Sequence, residues 1–209
     1  MMKFPRTPHI TGSKATDDDI FARFSPDFLA STQFVATEKM DGSNITIDRN
    51  GAYARNRGTP SADWFYPARD TYHRIGHLID DGITIAGELL TWRKCIPYDS
   101  LPGEFMVFSV IDGETVLPWN DVVEYAQLLE LPVVNVLAQG SYEDVIATSM
   151  RKLNTRERVM EGFVMRNQDA FSIGDYANNV AKFVGRWHSP VAGNTGRNGV
   201  VTSGVDKYV

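Results

Sequence analysis

Asn50-Gly51 is the feature that most narrows the fold. It is a strong hairpin signal, set between the alternating run Ile45-Thr46-Ile47-Asp48 and a returning run Ala52-Tyr53-Ala54-Arg55. Further strand-like runs lie at Phe34 to Glu38, Ile83 to Ala86, Glu104 to Ile111, Gly162 to Arg166, Ala170 to Ile173 and Val180 to Val184. Hairpin signals of this kind, without regular strand–helix–strand spacing, argue against a doubly wound parallel sheet. They predict an α+β fold of antiparallel strands with a few interleaved helices.

Four segments read as helices. Ile20 to Phe24 follows Asp17-Asp18-Asp19, acids that suit a helix N-terminus, and Asp70 to Asp80 carries Tyr72, Ile75, Leu78 and Ile79 at helical spacing. Asn120 or Asp121 is expected to cap a third, bearing Val122, Val123, Ala126 and Leu129; the fourth covers Tyr142 to Leu153. With no repeat and no long linker, the chain reads as one domain over 1–209, and the glycine-rich stretch 190–209 is expected to be a flexible tail.

Charge restricts the function. The formal net charge is -5, from 21 Lys+Arg against 26 Asp+Glu, which disfavours a protein that binds nucleic acid through a bulk basic surface. Local grip is still available from Arg49, Arg55 and Arg57, and from Arg151, Lys152, Arg156 and Arg158, although the second group also reads as a solvated helix end. No apolar run approaches the roughly 20 residues of a membrane-spanning helix, so no membrane partner is expected. The single cysteine, Cys95, cannot form an internal disulfide, which fits a reducing cytoplasm. His9, His73, His77 and His188 lack metal-site spacing, and no Walker-type phosphate loop is present.

Glu38-Lys39-Met40-Asp41-Gly42-Ser43-Asn44 lies between two strand-like runs. A lysine at a strand end can present its amine over a pocket floor, and Gly42 permits a sharp bend or a close approach. By itself this segment also reads as an ordinary turn. Ordered elements follow it: Ala54-Arg55-Asn56-Arg57-Gly58, Ala86-Gly87-Glu88-Leu89-Leu90, Phe105 to Asp112, Glu161-Gly162-Phe163-Val164-Met165-Arg166, and Val180-Ala181-Lys182-Phe183-Val184.

Taken in this order, the elements resemble the covalent nucleotidyltransferase superfamily of DNA ligases, RNA ligases and mRNA capping enzymes. Glu38 before the lysine and Asn44 five residues after it are most similar to the RNA ligase 2 type, whereas Asp41 is more like the DNA ligases. The resemblance implies a nucleotidyltransferase domain of two antiparallel sheets flanked by helices, with the nucleotide pocket between them. It implies ATP and Mg2+, with Mn2+ as a substitute, and a covalent Lys39-AMP intermediate. AMP would pass to a nucleic acid 5'-phosphate, and a 3'-hydroxyl, of RNA by preference, would then attack to form the phosphodiester.

By the same resemblance Phe108 would stack on adenine, Glu88 would contact the ribose, and Arg55 would lie near ribose and phosphate. Glu38 and Asn44 would belong to the nucleotide pocket, Glu161 would help hold the metal, and Lys182 would contact the α-phosphate. Arg57 and Arg186 are candidates for a strand phosphate; Arg186 also stands near Val184, where many relatives carry a second lysine. Phe108 could instead be a strand core residue, and Glu161-Gly162 a plain turn. A lysine of ordinary pKa, about 10.4, is protonated and cannot attack phosphorus, so cations or desolvation must lower it.

Ligases generally add a further domain beyond the last element, and residues 185–209 are too few for one. The chain is therefore expected to hold nucleic acid weakly or through a protein partner. The alternatives that share the fold are DNA nick sealing and GTP-dependent capping; a non-catalytic nucleotide-binding module is the other.

Overall fold

A computed structural model describes residues 3–185 except 57, 93, 97, 99 and 156–158. The expectations for Arg57, Arg186 and the 190–209 tail fall outside the described residues.

Two antiparallel sheets form the frame. The first has the order β10-β8-β1-β7, from β1 (Phe34–Glu38), β7 (Val136–Gly140), β8 (Gly162–Asn167) and β10 (Val180–Val184). Its two faces follow from the period-2 alternation of strands. Phe34, Ala36, Phe163, Met165, Ala181 and Phe183 bury one face together with Val145 and Met150 of a helix, α4 (Tyr142–Leu153). Phe163 and Phe183 stack at 5.4 Å there. The residues between them, Thr37, Val164, Arg166, Val180 and Lys182, turn to the opposite face and line a cavity.

The second sheet runs β3-β2-β4-β5-β6-β9, from β2 (Ser43–Asp48), β3 (Gly51–Ala54), β4 (Ile83–Leu89), β5 (Phe105–Asp112), β6 (Thr115–Val116) and β9 (Phe171–Ser172). Two helices, α2 (Tyr66–Ile75) and α3 (Trp119–Leu128), pack on it, so that Ala68, Ile75, Trp119, Val122 and Ala126 join Ile45, Ile47, Ile85 and Val110 in the largest core. Each such isoleucine or valine contributes roughly 1.5–3 kcal/mol by leaving water.

The predicted hairpin forms with Arg49 and Asn50 as its loop. Asp48 Oδ1 accepts from the N–H groups of Asn50 and Gly51 at 2.7 and 3.1 Å, and neither residue has a positive φ. Tyr142 to Leu153 is helical as expected, with Ser141 as its N-cap. The helix expected over Asp70 to Asp80 begins earlier, at Tyr66, and ends in a 3-10 turn over Gly76–Leu78. The third helix is preceded by Pro118 and has no side-chain cap, so neither Asn120 nor Asp121 caps it.

The helix expected over Ile20 to Phe24 does not form. Backbone pairing wins over the acids preceding it: His9 N–H donates to Ile20 O at 2.7 Å and Ala22 N–H to His9 O at 2.8 Å. His9 in turn lies beside Lys182, where Lys182 N–H donates to Pro8 O and Ile10 N–H to Lys182 O. The N-terminal segment thus extends the first sheet beyond β10. The first helix, α1 (Pro26–Ser31), follows it, capped by Ser25.

Candidate active site

The two sheets face each other across a cavity of about 760 Å³. Lys39 is the first residue after β1, and its N–H continues the ladder by donating to Gly162 O at 3.0 Å. That pairing sets Lys39 beside Glu161, and its Nζ donates to Glu161 Oε2 at 2.6 Å. Lys39 keeps 24% of its side chain exposed, while Glu161 keeps 8%. Lys39 is on the cavity wall, and Glu161 stands behind it.

Gly162 is required by sterics: a Cβ there would lie 1.8 Å from Phe183 O, so only glycine lets β10 approach β8 at this point. Gly42 meets a similar limit, with Leu89 O at 2.4 Å from a would-be Cβ. Its N–H donates to Glu88 Oε1 at 3.1 Å, tying the turn after Lys39 to β4. Asn44 and Glu88 lie opposite each other in the β2–β4 pairing, and both line the cavity. Burial pushes the Glu88 carboxyl up to about 7, against the pull of Lys39 and Lys94.

Phe108 reaches the cavity through a break in register. Ala86 pairs with Ser109, but Gly87 pairs with Val107, which leaves Phe108 as an extra residue on β5. A bulge of this kind re-aims a side chain. Phe108 is half-buried, meeting Phe4 edge-to-face at 5.5 Å. Arg55, exposed at the end of β3, and the buried Glu38 also line the wall.

On the facing sheet Lys182 lies 3.9 Å from Asp19 Oδ1. Burial holds its ammonium below the ordinary lysine value and Lys39 adds repulsion, whereas Asp19 and Glu161 oppose the shift. Arg166 is 5% exposed, donating to Asn167 O and Leu117 O; burial lowers its guanidinium to about 10.

A family model for RNA ligases matches residues 32–184, most of the chain and every element named above from β1 to β10. The chain belongs to the RNA ligase family. This family member is similar in fold to several solved structures. An archaeal ATP-dependent RNA ligase aligns with a TM-score of 0.56 at 17% identity, over 87% of this chain and 48% of its own. Naegleria gruberi RNA ligase with PPi aligns at 0.54 and 16% identity, over 88% and 60%. A variant of the Naegleria enzyme with ATP and Mn aligns at 0.53 and 16%, over 86% and 60%. The chain therefore spans only about half to three-fifths of the length of these relatives. Comparison with curated proteins finds no match.

The fold of this RNA ligase family member brings Glu38, Lys39, Asn44, Arg55, Glu88, Phe108 and Lys182 to one cavity, with Glu161 joined through Lys39. Sequence reasoning gave Asp41 no structural task. Its Oδ2 accepts from the N–H groups of Cys95 and Ile96 at 2.7 and 3.1 Å, and its N–H donates to Tyr98 Oη at 2.8 Å. It holds a loop and does not line the cavity. Lys94 from that loop donates to Gly42 O and does line it. Asp19, His9 and Arg166 were also missed as neighbours of the site, and no spacing in the chain announces them.

The donor chemistry suits a hard divalent cation. Glu38 and Glu88 supply carboxylates on the wall, and Asn44 Oδ1 is buried without a hydrogen-bond partner among the described residues. Among those residues no group of three or more His, Cys, Asp or Glu forms a metal cage. Mg2+ needs none, because it keeps several waters and takes few protein ligands.

Proposed function

We propose that this RNA ligase family member joins RNA ends with ATP through a covalent intermediate on Lys39. The observation that carries this reading is the position of Lys39 Nζ: partly exposed in a cavity that also presents Glu88, Phe108 and Lys182, and 2.6 Å from Glu161.

The Lys39 amine, relieved of its proton, attacks the α-phosphorus of ATP. A P–N bond forms, the bond to the bridging oxygen breaks, and pyrophosphate leaves. The Lys39 ammonium has no lone pair for attack until a proton leaves it, and Glu161, 2.6 Å away, is an acceptor within reach. Lys182 offers a fixed positive charge from the facing sheet to the α-phosphate oxygens. Phe108 offers its ring to the adenine, and Glu88 an acceptor to a ribose hydroxyl. Glu161 and the wall oxygens of Glu38 and Asn44 would help hold a divalent ion. When bound, that ion supplies charge neutralisation for the phosphates.

In the second step a strand 5'-phosphate oxygen takes the AMP and the P–N bond breaks. In the third a 3'-hydroxyl attacks the activated phosphate and AMP leaves. Arg55 on the cavity wall offers its charge to a strand phosphate, a task for which Arg57 and Arg186 are further candidates.

Incubation with α-labelled ATP and Mg2+, followed by denaturing electrophoresis, tests the reading. Label is expected on the wild-type band, mapped to Lys39 by peptide mass, and absent from Lys39→Ala. No label on the wild type would reject the reading. Labelling by GTP instead of ATP would point to capping, and sealing of nicked DNA but not RNA would change the acceptor.

A further inference from the structure

The segment before residue 32 lies outside the family match, yet it places a carboxylate against the cavity lysine. Asp19 Oδ2 accepts from Thr16 N–H at 3.0 Å and from Thr16 Oγ1 at 2.9 Å, which fixes the carboxylate from one side. Its Oδ1 points the other way, 3.3 Å from His9 Nε2 and 3.9 Å from Lys182 Nζ.

His9 is itself held. It is 2% exposed, its backbone bridges Ile20 and Lys182, and its Nδ1 lies 2.6 Å from Ser13 Oγ. Ser13 Oγ accepts the N–H of Val184 at 2.9 Å. With Nδ1 accepting a hydrogen bond from the Ser13 hydroxyl, a neutral ring would carry its proton on Nε2, on the Asp19 side. Burial, then the charge of Lys182, holds the His9 pKa below the ordinary imidazole value, while Asp19 opposes that shift. The Nε2 contact is an ion-pair-range approach without hydrogen-bond alignment, so Asp19 has oxygen capacity left for Lys182.

We propose that Asp19 is a positioning residue for Lys182: fixed by Thr16 and flanked by His9, its carboxylate holds the Lys182 ammonium over the cavity until nucleotide phosphate replaces it. The inference rests on the reading that Lys182 serves adenylylation of Lys39. Its physical content is an exchange of anions around one cation. Lys182 is half-buried, faced by Asp19, Glu161, Lys39 and Arg55, and two of those four repel it. Without Asp19 the ammonium has less reason to stay within the cavity. Asp19 is also a negative charge on the wall of a site that takes a polyanion, so it assists position while opposing binding.

That opposition makes the role measurable. The rate of Lys39-AMP formation is followed by rapid quench across ATP concentrations for wild type, Asp19→Asn, Asp19→Glu and His9→Gln, with circular dichroism of each. Asp19→Asn is expected to lower the saturating rate about tenfold, because Lys182 is less well placed to meet the α-phosphate at the transition state, with the half-saturating ATP concentration unchanged or lower. Asp19→Glu should recover part of the rate. His9→Gln, which leaves both charges in place, should shift the rate in the same direction by less, and it carries the test if Asp19→Asn does not fold. A saturating rate equal to wild type overturns the inference. So does a fall in rate matched by an equal rise in half-saturation, as a merely collapsed wall would give. A wild type that takes no label overturns the adenylylation reading and this inference together; a labelled wild type with an unchanged Asp19→Asn overturns this inference alone.

Discussion

Lys39 and Glu161 stand 122 positions apart in the chain, yet Nζ of the first donates to Oε2 of the second at 2.6 Å. The contact is made by register: β1 runs against β8, and Lys39 meets Gly162 one step past their last pair. If Glu161 only restrained the lysine, Glu161→Gln would free it and label faster. Because Glu161 is assigned to the metal, the opposite is expected: a loss of roughly 100-fold in adenylylation rate, the upper end for removing a group that supports a metal site. The rate of covalent labelling with Mg2+ decides between the two.

Asp41 is a structural carboxylate. Asp41→Ala strips the acceptor from the N–H groups of Cys95 and Ile96. Each unsatisfied buried donor costs about 1–3 kcal/mol, so urea titration should record a loss of ~2–4 kcal/mol. Asp41→Asn keeps one acceptor oxygen, and is expected to lose less and to retain labelling of Lys39.

Glu88 makes stability depend on pH. Its folded pKa, about 7, lies above the reference 4.5, so the native state holds the proton more tightly than the unfolded chain. The Glu88 contribution to stability is then full below about 4.5 and is lost as pH rises through about 7. Relative to Glu88→Gln, the wild type should lose up to about 3 kcal/mol between pH 4.5 and 8. Thermal melts of both proteins across that range measure it; parallel curves would contradict the assignment.

Phe108 is testable by splitting binding from stability. Stacking on a base is worth about 1–3 kcal/mol, so Phe108→Ala should raise the half-saturating ATP concentration roughly tenfold to a hundredfold. The ring is half-buried, so the cost in unfolding free energy should be small. A large loss of stability with unchanged ATP dependence would make it a core residue instead.

Gly162→Ala should be severe. The new methyl would overlap Phe183 O at 1.8 Å, and relief requires β10, with Lys182, to move away from β8. A loss of ~3 kcal/mol or more is expected by denaturant titration, together with loss of Lys39 labelling.

Much of this was legible in the chain because the responsible interactions are local. The strand-like runs Phe34 to Glu38 and Val180 to Val184 coincide with β1 and β10 to the residue, and the helix expected over Tyr142 to Leu153 forms with those bounds. The candidate site was legible through ordered short elements, each placing side chains on a strand or beside its end. What escaped was contact between distant segments. Asp17-Asp18-Asp19 favours a helix start, but pairing of His9 with Ile20 and Ala22 overrode that preference. The aim of Phe108 depends on a bulge, which no alternation pattern encodes. The tasks of Asp41 and Lys94 depend on a loop that meets the turn after Lys39 only in three dimensions.

The pairing of Pro8 and Ile10 with Lys182, and of Ser13 and Lys14 with Val184, has a practical corollary. A version trimmed to start at residue 32 would strip β10 of its neighbour and leave the N–H and C=O groups of Lys182 and Val184 bare. An uncapped strand border is a template for pairing with other molecules. Such a shortened protein should self-associate or precipitate, and Lys182 would sit at a fraying margin instead of between two paired segments.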